Sequence, residues 1–236
     1  MAEEALFTAI REQDYARCEL LLEGGASVDA HEDPRSRRTA LHVACELESV
    51  DICRLLIDYD APINARDFYG GTPLHQAAIT GPIGKMNLLI QAGADVNARD
   101  EDLSTPMHNA AMKGFLNRCV LLQQHGAQVY VKNRLDRTPL HDAAARGGDE
   151  QLFDFLINNG CDIDETDRDG KTPIFDAASN GRYEACRLLL IRGADTDYHD
   201  FETGMSPLDV AELSGHVDIC NLFVDRHARL HQNNDN

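Results

Sequence analysis

The chain has 236 residues, with 22 Lys or Arg against 40 Asp or Glu and a formal net charge of −18. That acidic balance opposes binding to nucleic acid or to an anionic membrane, both of which need basic surface that releases counterions, and it favours protein partners. No apolar run approaches the ~20 residues that span a bilayer, and the start, Met1-Ala2-Glu3-Glu4, is acidic where a secretory leader would be basic, so a cytosolic or nuclear chain is expected.

In chain order, the first pattern is Leu6-Phe7-Thr8-Ala9-Ile10, then Leu20-Leu21-Leu22 and Gly25-Ala26. A tetrad follows and returns: Thr39-Ala40-Leu41-His42, Thr72-Pro73-Leu74-His75, Thr105-Pro106-Met107-His108, Thr138-Pro139-Leu140-His141, Thr172-Pro173-Ile174-Phe175 and Ser206-Pro207-Leu208-Asp209, at steps of 33, 33, 33, 34 and 34 residues. A period in that range marks one supersecondary unit copied and stacked. The opening pattern is an earlier copy without the tetrad. The copies are expected over residues 3–32, 33–66, 67–99, 100–132, 133–166, 167–199 and 200–228, in a single domain 1–228, with a polar tail 229–236 that frays.

Residues 67–98 show how one repeat builds itself. Asp67-Phe68-Tyr69-Gly70-Gly71 reads as a turn, with Gly70 suited to a positive φ. Thr72 is a good helix N-cap, and Pro73 fits the first helical position, where its missing N–H would have been unpaired anyway. This helix turns Leu74, Ala77 and Ala78 inward and ends near Gly81; a second helix carries Met86, Leu88 and Leu89 and stops at Gly93-Ala94. Small residues on one helix and bulky ones on the other let neighbouring repeats nest, so no repeat is expected to fold alone. Gln13 and Glu48 replace the glycine between the helices of the first two repeats, and insertions fall near residues 31–38, near Gly148 and between Tyr198 and Glu202.

Seven cysteines suggest metal or disulfide chemistry at first sight. Five of them, Cys18, Cys53, Cys119, Cys186 and Cys220, recur in one slot, and Cys45 and Cys161 fill small-residue slots. Equivalent slots in stacked repeats lie roughly 8–10 Å apart, beyond the ~7 Å Cα limit for a disulfide. Buried, inert thiols are expected. The histidines His42, His75, His108 and His141 stand a repeat apart, too far to share a zinc ion at ~2 Å. No phosphate loop, nucleophile elbow or His-Glu-x-x-His motif occurs, so neither catalysis nor a cofactor or metal is expected. Arg35-Ser36-Arg37-Arg38 is too short to read as a nuclear-localisation signal.

The tetrad, the paired-helix punctuation and the period resemble ankyrin repeats. The resemblance covers nearly the whole chain and implies an all-α solenoid of about seven helix–turn–helix units with β-hairpin-like finger loops. It implies a non-catalytic protein-interaction module, an adaptor, scaffold or inhibitor, monomeric on its own, whose fingers and first helices line a concave binding face. It also implies that the tetrad histidine hydrogen-bonds the turn region. Related roles are those of gankyrin-like assembly chaperones, of acidic arrays that mask Rel-type transcription factors, and of substrate-recruiting or bacterial effector ankyrin proteins.

Mapped onto this chain, the binding slots hold large apolar residues at Phe68, Tyr69, Ile79, Leu103, Met112 and Leu135, the acids Glu101 and Asp102, and a basic stripe of Arg134, Arg137, Arg146, Arg168 and Lys171. Apolar anchors ringed by charge are the material of binding hot spots. Leu103 stands where other fingers carry Gly70 or Gly170, which predicts backbone strain. A partner with an acidic segment for the fifth and sixth repeats and an apolar or basic segment for the third and fourth would fit. Asp95-Val96-Asn97 after Leu89 resembles the segments on which asparaginyl hydroxylases act, with Asn97 the target.

Overall fold

The computed structural model describes the backbone of residues 2–234 and the side chains of residues 2–226. Within them the chain forms fourteen helices in seven pairs: α1 (Ala2–Arg11) and α2 (Tyr15–Glu23), α3 (Ala40–Glu46) and α4 (Val50–Asp58), α5 (Pro73–Ile79) and α6 (Ile83–Gln91), α7 (Pro106–Met112) and α8 (Leu116–Gln124), α9 (Pro139–Arg146) and α10 (Glu150–Asn158), α11 (Pro173–Ser179) and α12 (Tyr183–Ile191), α13 (Pro207–Leu213) and α14 (Val217–Asn234). The fold is an all-α solenoid of helix–turn–helix repeats. One isolated β-bridge, His31 with Thr39, occurs among the described residues. No described helix is long and apolar enough to cross a membrane. The backbone of α14 continues past residue 228, and the side chains of the polar tail lie outside the described residues.

Two compact bodies result, one of Met1–Asn109 with Val120–Gln128, the other of Ala110–Cys119 with Val129–Asn236. In the first, Leu6, Ile10, Leu41, Leu56, Leu74 and Leu89 are fully buried; in the second, Leu140, Phe153, Leu156, Ile174, Leu189 and Phe223 are. Burying one such side chain is worth about 1.5–3 kcal/mol, so repeat-to-repeat packing outweighs the helix propensity of α1 to α13, which are only seven to ten residues long.

The tetrad works through both ring nitrogens of its histidine. In α5, the Thr72 backbone N–H donates to His75 Nδ1 at 3.1 Å, so the proton sits on Nε2, which donates to the Ser104 carbonyl of the following finger at 3.1 Å. His42 bonds Gly71 O and His141 bonds Lys171 O in the same way, each at 3.1 Å. Each ring thus fastens its own helix start to the next finger. Burial pushes the pKa of His42 and His75 down, and that of His141 to about 3. In α11 Phe175 takes the histidine slot, and Thr172 Oγ1 is left without a hydrogen-bond partner among the described residues.

The two repeats lacking the inter-helix glycine solve the turn differently. Gln13 itself adopts a φ of 57°, and its Oε1 accepts from the Ser49 N–H at 3.0 Å. After α3 the chain instead runs extended through Leu47, and the last carbonyls of the helix receive only long bonds, Ala44 O from the Leu47 N–H and Cys45 O from Thr80 Oγ1, each at 3.3 Å. Lys85 of the next repeat closes them: its ammonium donates to Ala44 O at 2.8 Å, to Cys45 O at 3.5 Å, and to Leu47 O. Lys85 has 0% exposure, in the slot that Ile52 fills in the preceding repeat. Arg118 occupies the corresponding slot of α8, with its guanidinium 4.2 Å from the Phe115 ring centroid.

Six of the seven cysteines are buried, and Cys220 is half-buried. Burial raises Cys18 to about 11 and Cys119, Cys161 and Cys186 to about 12, values at which a thiol is a poor nucleophile. Cys45 and Cys53 differ, because they lie within one repeat and their thiols act on each other, which raises Cys45 and lowers Cys53. Comparing only equivalent slots a repeat apart misses this pair.

Candidate functional site

Each finger is a short turn closed by one acidic or amide side chain. Asp67 Oδ1 accepts from the N–H groups of Tyr69 at 2.9 Å and Gly71 at 2.8 Å; Asp100 Oδ1 accepts from Asp102 at 2.9 Å and Ser104 at 2.8 Å. Asn133 and Asp167 hold their fingers in the same manner in the second body. Single backbone bonds join successive fingers: Phe68 N–H to Ser36 O and Glu101 N–H to Tyr69 O at 2.8 Å in the first body, Arg168 N–H to Leu135 O at 2.9 Å and Phe201 N–H to Asp169 O at 2.7 Å in the second. These bonds position the tips as fixed platforms. Gly70 has a φ of 74° and stands where a Cβ would come within 2.9 Å of the Glu101 nitrogen, so a side chain is excluded there. Leu103 does adopt a positive φ of 58°, and so do Arg37 and Asp136 in the same slot of their fingers.

In the first body, Phe68 and Tyr69 are 61% and 73% exposed, and their rings pack edge to face with centroids 5.2 Å apart. Beside them a groove of about 440 Å3 is lined by Arg35, Ser36, Arg38, Asp67, Phe68 and Tyr69. Glu101, Asp102 and Leu103 are exposed on the next finger, while Ile79 is half-buried at the end of α5. Asn97 is half-buried and its amide is engaged on both sides: Nδ2 donates to Gly126 O at 3.0 Å, and Oδ1 accepts from Gln128 N–H at 2.8 Å. Asn64 makes the same bridge to Gly93 O and Asp95 N–H one repeat earlier, so the slot has a structural task of its own.

In the second body Leu135, Arg134, Arg146 and Arg168 are exposed and Met112 is half-buried. The basic stripe is largely neutralised where it stands. Arg137 is enclosed by three carboxylates, with Asp176 Oδ2 2.9 Å from Nη1, Asp142 Oδ1 3.4 Å from Nε and Asp167 Oδ2 3.5 Å from Nη1. Arg168 pairs with Asp136 at 3.7 Å and Lys171 with Asp169 at 3.3 Å. One guanidinium does not offset the burial of three acids: desolvation raises Asp142 to about 6 and Asp176 to about 7, against the pull of Arg137. Arg137 is therefore framework as much as surface, and a charge reversal there would disturb the fold before it tested a partner.

Two features escaped the sequence reading. Phe201, on the finger with the inserted residue, is 75% exposed and packs over Gly170, where a Cβ would lie 2.7 Å from its ring. Its position one residue after the finger-closing acid, as with Phe68, was the available signal. The other is the groove wall formed by Arg35 and Arg38, which only the pairing of adjacent fingers creates. No three His, Cys, Asp or Glu side chains among the described residues converge in a way that would hold a metal ion.

The model of ankyrin repeats, in a form spanning three copies, matches residues 6–100, 86–167, 107–200 and 143–234. The chain belongs to the ankyrin-repeat family. Ankyrin repeats are in general protein–protein interaction modules and typically non-catalytic. Over 60 residues, the chain is 43% identical to the nuclear factor NF-kappa-B p105 subunit of Mus musculus and 45% identical to that of Gallus gallus. Each match covers 25% of this chain and only 6% of the relative.

Proposed function

We propose that this ankyrin-repeat chain is a non-catalytic adaptor, scaffold or inhibitor that binds protein partners through its finger tips and first helices, monomeric on its own and working in the cytosol or nucleus. The observation that carries this reading is a division of labour among side chains. The tetrads, the finger-closing acids and the Asn bridges are consumed by the fold, whereas Phe68, Tyr69, Leu135 and Phe201 stand exposed on tips that backbone bonds hold fixed. Rigid exposed aromatics lose little entropy on binding and make effective anchors. A charge of −18 argues for protein rather than nucleic acid or membrane as the partner. The 60-residue likeness to the p105 subunit favours a nuclear-factor complex as one class of partner, as in the masking role of acidic arrays.

The test is affinity capture with crosslinking from native lysate, comparing wild type with Tyr69→Ala, Leu135→Ala and Met112→Ala. Truncating a true anchor costs about 2 kcal/mol or more in binding and leaves the fold intact. The control is Tyr15→Ala, which alters the groove of about 300 Å3 formed by Tyr15, Asp51, Arg54, Leu55 and Asp58 on the second helices. Partners retained by all three face variants but lost with the control would show that binding uses the other side.

A further inference from the structure

We infer that the groove between the second and third fingers is a docking site for an acidic protein segment carrying one large apolar side chain. The inference deepens the protein-binding reading and rests on it. Its first support is shape. A groove of about 440 Å3 accommodates one or two side chains, and its wall is the exposed Phe68–Tyr69 pair. The Phe68 N–H to Ser36 O bond of 2.8 Å ties the two fingers together, so the groove exists before a partner arrives.

Charge is the second support. Of the groove's polar residues, Asp67 is spent on its own finger, and Arg38 is ion-paired with Glu46 at 2.7 Å and Glu32 at 3.7 Å. Arg35 and Arg37 are exposed and form no salt bridge among the described residues, in a chain whose net charge is −18. Arg37 is presented by a left-handed turn, φ 54°. Arg35 lines the groove beside the aromatic anchor, partly offset by the Asp33 carboxylate that accepts from the Arg35 and Ser36 N–H groups, and Arg37 is exposed on the same finger. Exposed guanidiniums outside any ion pair of salt-bridge distance complement a carboxylate next to an apolar residue, and guanidinium forks favour carboxylate oxygens. Glu101 and Asp102 follow directly on the far side of Tyr69, where they would repel a second acid. The bound segment is therefore polar in its own layout, with acids on one side of its anchor only.

The experiment pans a random linear dodecapeptide display library against the full chain at low salt, then measures the recovered peptides by fluorescence polarisation. The expected peptides carry Asp or Glu on one side of a large apolar residue. Their affinity falls about tenfold or more with Arg35→Glu combined with Arg37→Glu, falls likewise with Tyr69→Ala, and declines as NaCl is raised. Circular dichroism of the variants should be unchanged, since all three residues are exposed. Peptides that are basic or uncharged, or that ignore the arginine reversals, overturn the inference; so does recovery of no binder at all. Peptides lost only with Leu135→Ala overturn the groove while leaving the wider protein-binding reading standing, and that reading is judged separately by the crosslinking capture.

Discussion

The finger Arg35-Ser36-Arg37-Arg38 and the finger Arg134-Leu135-Asp136-Arg137 look alike as strings, and the fate of an arginine depends on its slot: Arg35 and Arg134 at the start are exposed, whereas Arg38 at the end is ion-paired with Glu46 and Glu32 and Arg137 is enclosed by carboxylates. In the first, Arg35 and Arg37 face solvent without a salt bridge among the described residues. In the second, Arg137 sits within 3.5 Å of three carboxylates on two other segments of its body. The same residue type stays open to solvent where the fold leaves it outside a salt bridge and becomes a structural ion where the fold surrounds it. What differs is supplied by Asp142, Asp167 and Asp176, up to 39 residues away.

The largest expected effect that would test this contrast is Arg137→Met, which leaves three carboxylates near one another with no cation. Breaking a buried pair in this way costs about 3–5 kcal/mol, whereas Arg35→Ala should change stability by less than about 0.5 kcal/mol. Urea unfolding at neutral pH measures both, and equal losses would erase the distinction.

The same cage has a pH signature. Asp142 and Asp176 are raised in the folded chain from 3.8 to about 6 and about 7, so folding retains protons that the unfolded chain releases. Their stabilising contribution is full below about pH 4 and is lost as pH rises through 6 to 7. The histidines act in the opposite sense. His42, His75 and His141 are lowered from 6.5, the last to about 3, so their contribution is complete above 6.5 and declines as the pH falls below it. Asp176→Asn should then raise stability on the order of 1–3 kcal/mol at pH 8 and much less at pH 4. Thermal melts across that range decide it; a uniform shift would show that Asp176 is not held above its ordinary range.

Lys85 is a third kind of cation, buried on carbonyls instead of carboxylates. Lys85→Met should cost about 1–3 kcal/mol, because Leu47 O loses its ammonium donor while Ala44 O and Cys45 O keep only the weaker bonds from Leu47 N–H and Thr80 Oγ1, each at 3.3 Å. Hydrogen exchange should rise at the end of α3 and the start of α4 ahead of the rest of the first body; uniform loosening would contradict the capping role. The smallest effect is expected at a finger tip. Leu103→Gly should relieve its φ of 58° and stabilise the chain by up to about 1 kcal/mol. The same variant should weaken partner capture if Leu103 is an anchor, and a gain in stability without any loss of capture would assign it to the framework.

The repeat count, the helix starts and the glycine stops were legible because they are local. Thr72-Pro73 and Thr138-Pro139 dictate a cap and a first turn within four residues, and the period then multiplies that decision. The tetrad histidines were legible through the family likeness, which assigned the ring to a turn; which carbonyl it meets was not. The exposed tips Phe68, Tyr69 and Leu135 could be picked out because large apolar residues stood in polar slots. Lys85 could not, since a lysine on a short helix reads as solvent-facing until the carbonyls at the end of a neighbouring helix are seen within its reach. Nor could the Cys45–Cys53 contact, which depends on how two helices of one repeat cross.

By itself, then, the sequence determined an all-α array of ankyrin repeats, with its caps, its buried leucines and an acidic surface suited to protein partners, because hydrophobic period and backbone capping act over a few residues. Only the tertiary structure decided which charges are free, which are caged, and where two fingers enclose a groove. Electrostatic meaning comes from neighbours roughly a repeat away in sequence and a few ångströms away in space, and no single finger contains that information.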